Sequence, residues 1–126
     1  GGLSGSLNLG DGNNSLTFNS GAGTLGGNLN SGSGNDTVTF NGGTINGSVD
    51  LGAGTNSVTI NNNDSRINGN LTMGGTDTLS YAGYTNPVNV NLWSATSVYY
   101  GNATAIDGYI SGLDNLVGGS GSSAAA

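Results

Sequence analysis

The sequence predicts an all-β fold: a parallel β-solenoid (β-helix) of about four 20–22-residue coils with an irregular, aromatic-rich C-terminal cap. Three observations predict it. One unit recurs from Leu3, Leu25, Ile45 and Ile67, at steps of 22, 20 and 22 residues. Inside each unit apolar and polar residues alternate with period two, which is the pattern of a strand with one buried face. Between the alternating stretches stand glycine and asparagine or aspartate, residues that accept the positive φ of a tight turn.

The elements follow in order. The four units read "LSGSLNLGDGNNSLTF", "LGGNLNSGSGNDTVTF", "INGSVDLGAGTNSVTI" and "INGNLTMGGTDTLSY". In the first stretch of a unit, Leu3, Gly5, Leu7 and Leu9 share one face and Ser4, Ser6 and Asn8 the other. Ile45, Gly47, Val49 and Leu51 repeat this in the third unit. The second stretch is "SLTF", "TVTF", "SVTI" or "TLSY". Its inward positions are Leu16 and Phe18, Val38 and Phe40, Val58 and Ile60, and Leu79 and Tyr81. One such unit is too small to bury its apolar face alone. Stacking places each strand ~4.8 Å from its equivalent and completes a core.

Beyond Tyr81 the repeat fades. All five tyrosines and the single tryptophan lie from Tyr81 to Tyr109, a composition suited to covering the end of an apolar stack. "PVNVNLW" alternates as a strand, and "YISGLDNLVGG" fits a further irregular coil. The expected organisation is a single domain with coils over residues 1–81, a cap over 82–121, and a tail over 122–126 left out of the fold.

Charge narrows the function. Seven aspartates oppose one cation, Arg66, for a net charge of −6. No basic surface exists to neutralise phosphates or to meet an anionic bilayer, so neither nucleic acid nor membrane is expected as a partner. No apolar run approaches the ~20 residues of a membrane span. Cysteine and histidine are absent, which removes disulfides, thiolate chemistry and the commonest general base and metal ligand. With scattered aspartates and no lysine, no enzyme is expected. The start "GGLSGSLNLG", without methionine or signal peptide, reads as a segment of a longer protein.

Four features are candidate sites. "GSGNDTVT" fits most of the calcium-repeat pattern G-G-x-G-x-D-x-U-x, and calcium requires several hard oxygens. The key position reads Asn14, Asp36, Asn56 and Asp77, so Asp36 and Asp77 are the calcium candidates; the competing reading is a stacked Asn/Asp ladder bonding backbone groups of neighbouring coils. Ser15/Thr17, Thr37/Thr39, Ser57/Thr59 and Thr78/Ser80 should point outward in two columns. That is the layout of ice-binding solenoids, and also what exposed strand positions prefer; the mixing of serine with threonine weakens its methyl regularity. Tyr84, Trp93, Tyr99 and Tyr100 either stack on a glycan or form the cap. Asn13, Asn35, Asn46, Asn63, Asn70 and Asn102 begin N-x-S/T triplets, which are frequent by chance in such a composition.

"GGTINGSVDLGAGTNSVTI" resembles the passenger repeats of bacterial autotransporters and related large secreted adhesins. "DTLSYAGYTNPVNVNL" with "ISGLDNLVGGSG" is similar to segments of very long repetitive surface proteins that lead into hemolysin-type calcium repeats. The resemblance spans Leu3 to Gly121 and implies a secreted or cell-surface solenoid. The expected function is therefore a structural module — stalk, fibre or lattice element — whose open first coil invites self-association end to end into filaments. A glycan-binding module and an ice-binding solenoid are the alternatives.

Overall fold

A computed structural model describes residues 2–94, 99–121 and 123–125, except for the side chains of 92–94, 99, 100 and 123–125. The chain is all-β, and its parallel strands stack as a β-solenoid. The first rung holds β1 (Leu7–Asn8) and β2 (Ser15–Phe18). The second holds β3 (Thr24–Leu25), β4 (Leu29–Asn30) and β5 (Thr37–Phe40). The third holds β6 (Thr44–Ile45), β7 (Val49–Asp50) and β8 (Ser57–Ile60). The fourth holds β9 (Arg66–Ile67), β10 (Leu71–Thr72) and β11 (Thr78–Ser80). The hairpin β12 (Val88–Ser94) and β13 (Tyr99–Ala103) follows, then β14 (Ile106–Ser111), β15 (Asn115–Val117) and β16 (Ser123–Ala125).

Register follows from burial. In the long-strand sheet, β2, β5, β8, β11 and β15 align Leu16, Val38, Val58, Leu79 and Leu116 in one column. In the short-strand sheet, Leu7, Leu29, Val49, Leu71 and Ile110 form a second column, and Leu25, Ile45, Ile67 and Ile106 a third. A one-residue slip would turn each apolar column outward, so the alternation locks the stacking. Phe18 and Phe40 stack nearly parallel, with ring centroids 4.9 Å apart. Close approach of rungs also demands glycine. Gly34, Gly54 and Gly75 all have positive φ, and a Cβ on any of them would strike the carbonyl oxygen of the equivalent glycine one rung earlier.

The C-terminal end is more regular than an irregular cap. Ile106-Asp107-Gly108-Tyr109-Ile110 repeats Ile67-Asn68-Gly69-Asn70-Leu71 and stacks on it in register, beginning a fifth rung. Residues 82–105 are inserted before this rung. Their hairpin pairs β12 with β13 and β13 with β14, all antiparallel, and so extends the short-strand sheet past the last rung. Val88, Val90, Ala103 and Ala105 join the main core, which closes that end. The tail also differs from expectation, because β16 pairs in parallel with β12.

Candidate functional site

The inward corner of successive rungs carries one column of Asn and Asp, buried at Asp36, Asn56 and Asp77. The Asn14 N–H donates to Asp36 Oδ1 at 2.9 Å, and the Asp36 N–H to Asn56 Oδ1 at 2.9 Å. The Asn56 N–H donates to Asp77 Oδ1 at 2.7 Å, and the Asp77 N–H to Asp114 Oδ2 at 2.8 Å. The ladder reading of this motif therefore describes the geometry. Asn and Asp serve equally well here because both offer an oxygen.

Their second atoms are not equivalent. Asn14 Nδ2 donates to the Gly10 carbonyl and Asn56 Nδ2 to the Gly52 carbonyl, each four residues earlier. Asp36 Oδ2 and Asp77 Oδ2 are buried without a hydrogen-bond partner. Burial raises the Asp77 pKa above the ordinary carboxylate value; the bonds from Asn56 oppose the rise, and the charge of Asp114 adds to it. The two calcium candidates do not converge, because the Asn56 rung separates them, by ~9.6 Å in all at the usual strand spacing. Among the described residues no three acidic, histidine or cysteine side chains gather as metal ligands.

Outward columns run the opposite way. Ser6 Oγ accepts from the Asn28 N–H, Asn28 Oδ1 from Ser48, Ser48 Oγ from Asn70, and Asn70 Oδ1 from Tyr109. Asn13 and Asn35 accept from the next rung in the same sense, and Asn63 accepts from Thr85 and Asn86. Several triplet asparagines are thus already rung-to-rung acceptors. The amide-rich composition has a structural use that no linear motif announces: each side chain caps a backbone donor of a neighbouring coil.

The outward face of the long-strand sheet contrasts with this. Ser15, Thr37, Ser57 and Thr78 align in one column, and Thr17, Thr39, Thr59 and Ser80 in the other. Among the described residues, the only side-chain hydrogen bond in this set is that of Ser80 Oγ, which accepts from the Ala82 N–H at 3.3 Å.

Of the aromatic candidates, Tyr84 is buried and packs edge-on against Tyr81, so its ring faces the core rather than a ligand. Tyr81 is fully buried, its hydroxyl donating to the Thr104 carbonyl at 2.7 Å, and burial pushes its pKa well up. Trp93, Tyr99 and Tyr100 fall outside the described side chains; in the backbone ladder Trp93 stands opposite Tyr100. Tyr109, which composition alone did not single out, is 59% exposed on β14.

The first rung is open. Leu3 is 52% exposed, and Leu7, Leu16 and Phe18 are only partly buried around a recess of about 450 Å³. In comparisons with known proteins, no family model, no curated protein and no solved structure matches the chain.

Proposed function

We propose that the chain is a structural β-solenoid module of a secreted or cell-surface protein, serving as a stalk, fibre or lattice element without turnover chemistry. The observation that carries this reading is where the polar side chains go. Asn, Asp and Ser side chains form rung-to-rung ladders on the inward corner and on the outward columns, so they brace the stack. A sparsely charged, internally braced stack suits load-bearing or spacing. The resemblance to adhesin passenger repeats supports the same reading and the location.

The open first rung supports self-association with a second copy. β1 and β2, each paired on one side only, offer strand edges, and the recess offers apolar contact. Light scattering with negative-stain microscopy across a concentration series tests this, with calcium and with chelator. Assemblies that grow with concentration are expected; a monomer at every concentration, with both termini folded, would end the self-association reading. A calcium requirement for assembly would return Asp36 and Asp77 to the role of ligands.

A further inference from the structure

We propose that the outward face of the long-strand sheet binds ice, through the paired columns Ser15–Thr37–Ser57–Thr78 and Thr17–Thr39–Thr59–Ser80. This goes beyond the structural reading and does not depend on it.

The first ground is the unused hydrogen-bonding capacity of this face. Elsewhere on the stack, outward Ser6, Asn13, Asn28 and Ser48 accept backbone N–H groups of the next rung, while among the described residues the hydroxyls of Thr24, Thr44 and Thr72 are without a partner in the protein. Here, among the described residues, seven of the eight hydroxyls make no bond within the protein, and the eighth, Ser80, makes one at 3.3 Å. They are partly or fully exposed, so their partner is solvent.

The second ground is geometry. All four strands pair in parallel without a register shift, so the hydroxyls form a grid rather than a scatter. The grid repeats at ~4.8 Å from rung to rung and at about 6.6 Å along each strand. The rung spacing lies close to the shorter repeat of water oxygens on a prism face of hexagonal ice, and the spacing along the strand is shorter than the longer repeat. The grid is also held stiffly, because Val38, Phe40, Val58, Ile60 and Leu79, which alternate with it on the same strands, are at most 1% exposed.

The third ground is the chemistry of the ligand. The eight positions carry no charge, although the chain has a net charge of −6. A neutral lattice of alternating donors and acceptors matches a hydroxyl, which both donates and accepts. A crystalline polysaccharide would also present regular hydroxyls, but its pyranose faces call for aromatic platforms. None of the eight positions is aromatic, which favours ice.

The test is ice-shaping microscopy with thermal hysteresis on the 126-residue chain, beside Thr39→Lys, Thr59→Lys and Thr72→Lys. Thr72 is exposed on the short-strand sheet and serves as the control. The unaltered chain and Thr72→Lys are expected to facet ice and sustain a hysteresis gap. Thr39→Lys and Thr59→Lys are expected to lose both while keeping the same thermal melting curve. If a lysine variant melts lower, Thr39→Ala reads the same loss with less disturbance. Rounded crystals without a gap would overturn the proposal, as would a gap that survives both lysines. Retention on crystalline cellulose that fails in the same variants, without ice shaping, would overturn it too and reassign the face to polysaccharide.

Discussion

The two ends of the solenoid are built from nearly the same residues and meet different fates. Leu16 and Phe18 occupy the same two columns as Leu79 and Tyr81. The first pair is only partly buried, whereas the second is fully buried. Nothing in the local pattern separates them. The difference is the covering layer: Leu79 and Tyr81 lie under a fifth rung and a hairpin, while among the described residues no further rung covers β1 and β2. In a stacked fold, burial belongs to a residue's position in the stack and not to its repeat, so equivalent substitutions should cost different amounts at different rungs.

Phenylalanine makes the sharpest comparison. Phe40→Ala should destabilise by about 3–5 kcal/mol, the cost of emptying a packed aromatic site. Phe18→Ala removes the other member of the same stacked pair but should cost less than half as much, because its outer face lines the recess. Paired denaturant melts measure both. Equal losses would break the contrast between ends and would mean that something covers the first rung in solution.

Glycine gives the next largest difference. Gly54→Ala meets both a strained φ of 121° and the Gly34 carbonyl of the rung before. Strain alone is worth about 1–3 kcal/mol, and the clash adds to it. Gly12 has a similarly positive φ of 100° but open space where its Cβ would go, so Gly12→Ala should cost only the strain. A melting comparison that found the two equal would remove rung contact as the reason for glycine at these corners.

These contrasts also show what could be read from sequence. The four repeats, their inward columns and the Asn/Asp ladder were legible, because period-two alternation and a 20–22-residue repeat follow directly from strand geometry. The fifth rung was legible only as an irregular coil in "YISGLDNLVGG"; its register with the repeat was hidden, since Ile106-Asp107-Gly108-Tyr109-Ile110 follows a 24-residue insertion and ends in a shortened turn. Sequence left Tyr84 between cap and glycan platform, because aromatic content does not reveal which ring is covered. The two outward hydroxyl columns were legible from the same alternation; that they go unbonded, and the opposite directions of the inner and outer ladders, had no linear signature. Both depend on which neighbouring backbone donor each side chain meets.

Asp77 connects the ladder to pH. Its folded pKa is raised, mainly by burial, so the native state holds the proton more tightly than the unfolded chain does. This contribution to stability is fully present below the unfolded value and is lost as pH rises through the folded one. Asp77→Asn should abolish that loss. It should also be more stable than the parent at neutral pH by about 1 kcal/mol, the low end of the cost of an unsatisfied buried polar atom. Melts from acid to neutral pH measure the difference. A variant that is less stable at neutral pH, and only when calcium is present, would instead identify Asp77 as a ligand.

The smallest expected effect concerns how the last rung is fastened across the insertion. Arg66 on β9 pairs with Asp107 on β14, joining the fourth rung to the fifth at the point where the chain has just returned from the hairpin. Both side chains are about half exposed, so water screens the attraction, and ordering a long arginine offsets much of the gain. Arg66→Gln should therefore change stability by less than about 0.5 kcal/mol and become neutral at high salt. The apolar contacts of Ile67 with Ile106 and of Leu71 with Ile110 carry the junction instead. Hydrogen exchange on β14 in this variant decides the matter. Protection that stays near the parent's level leaves the closed end dependent on burial, whereas rapid exchange confined to β14 would make the ion pair the latch that holds the rung in place.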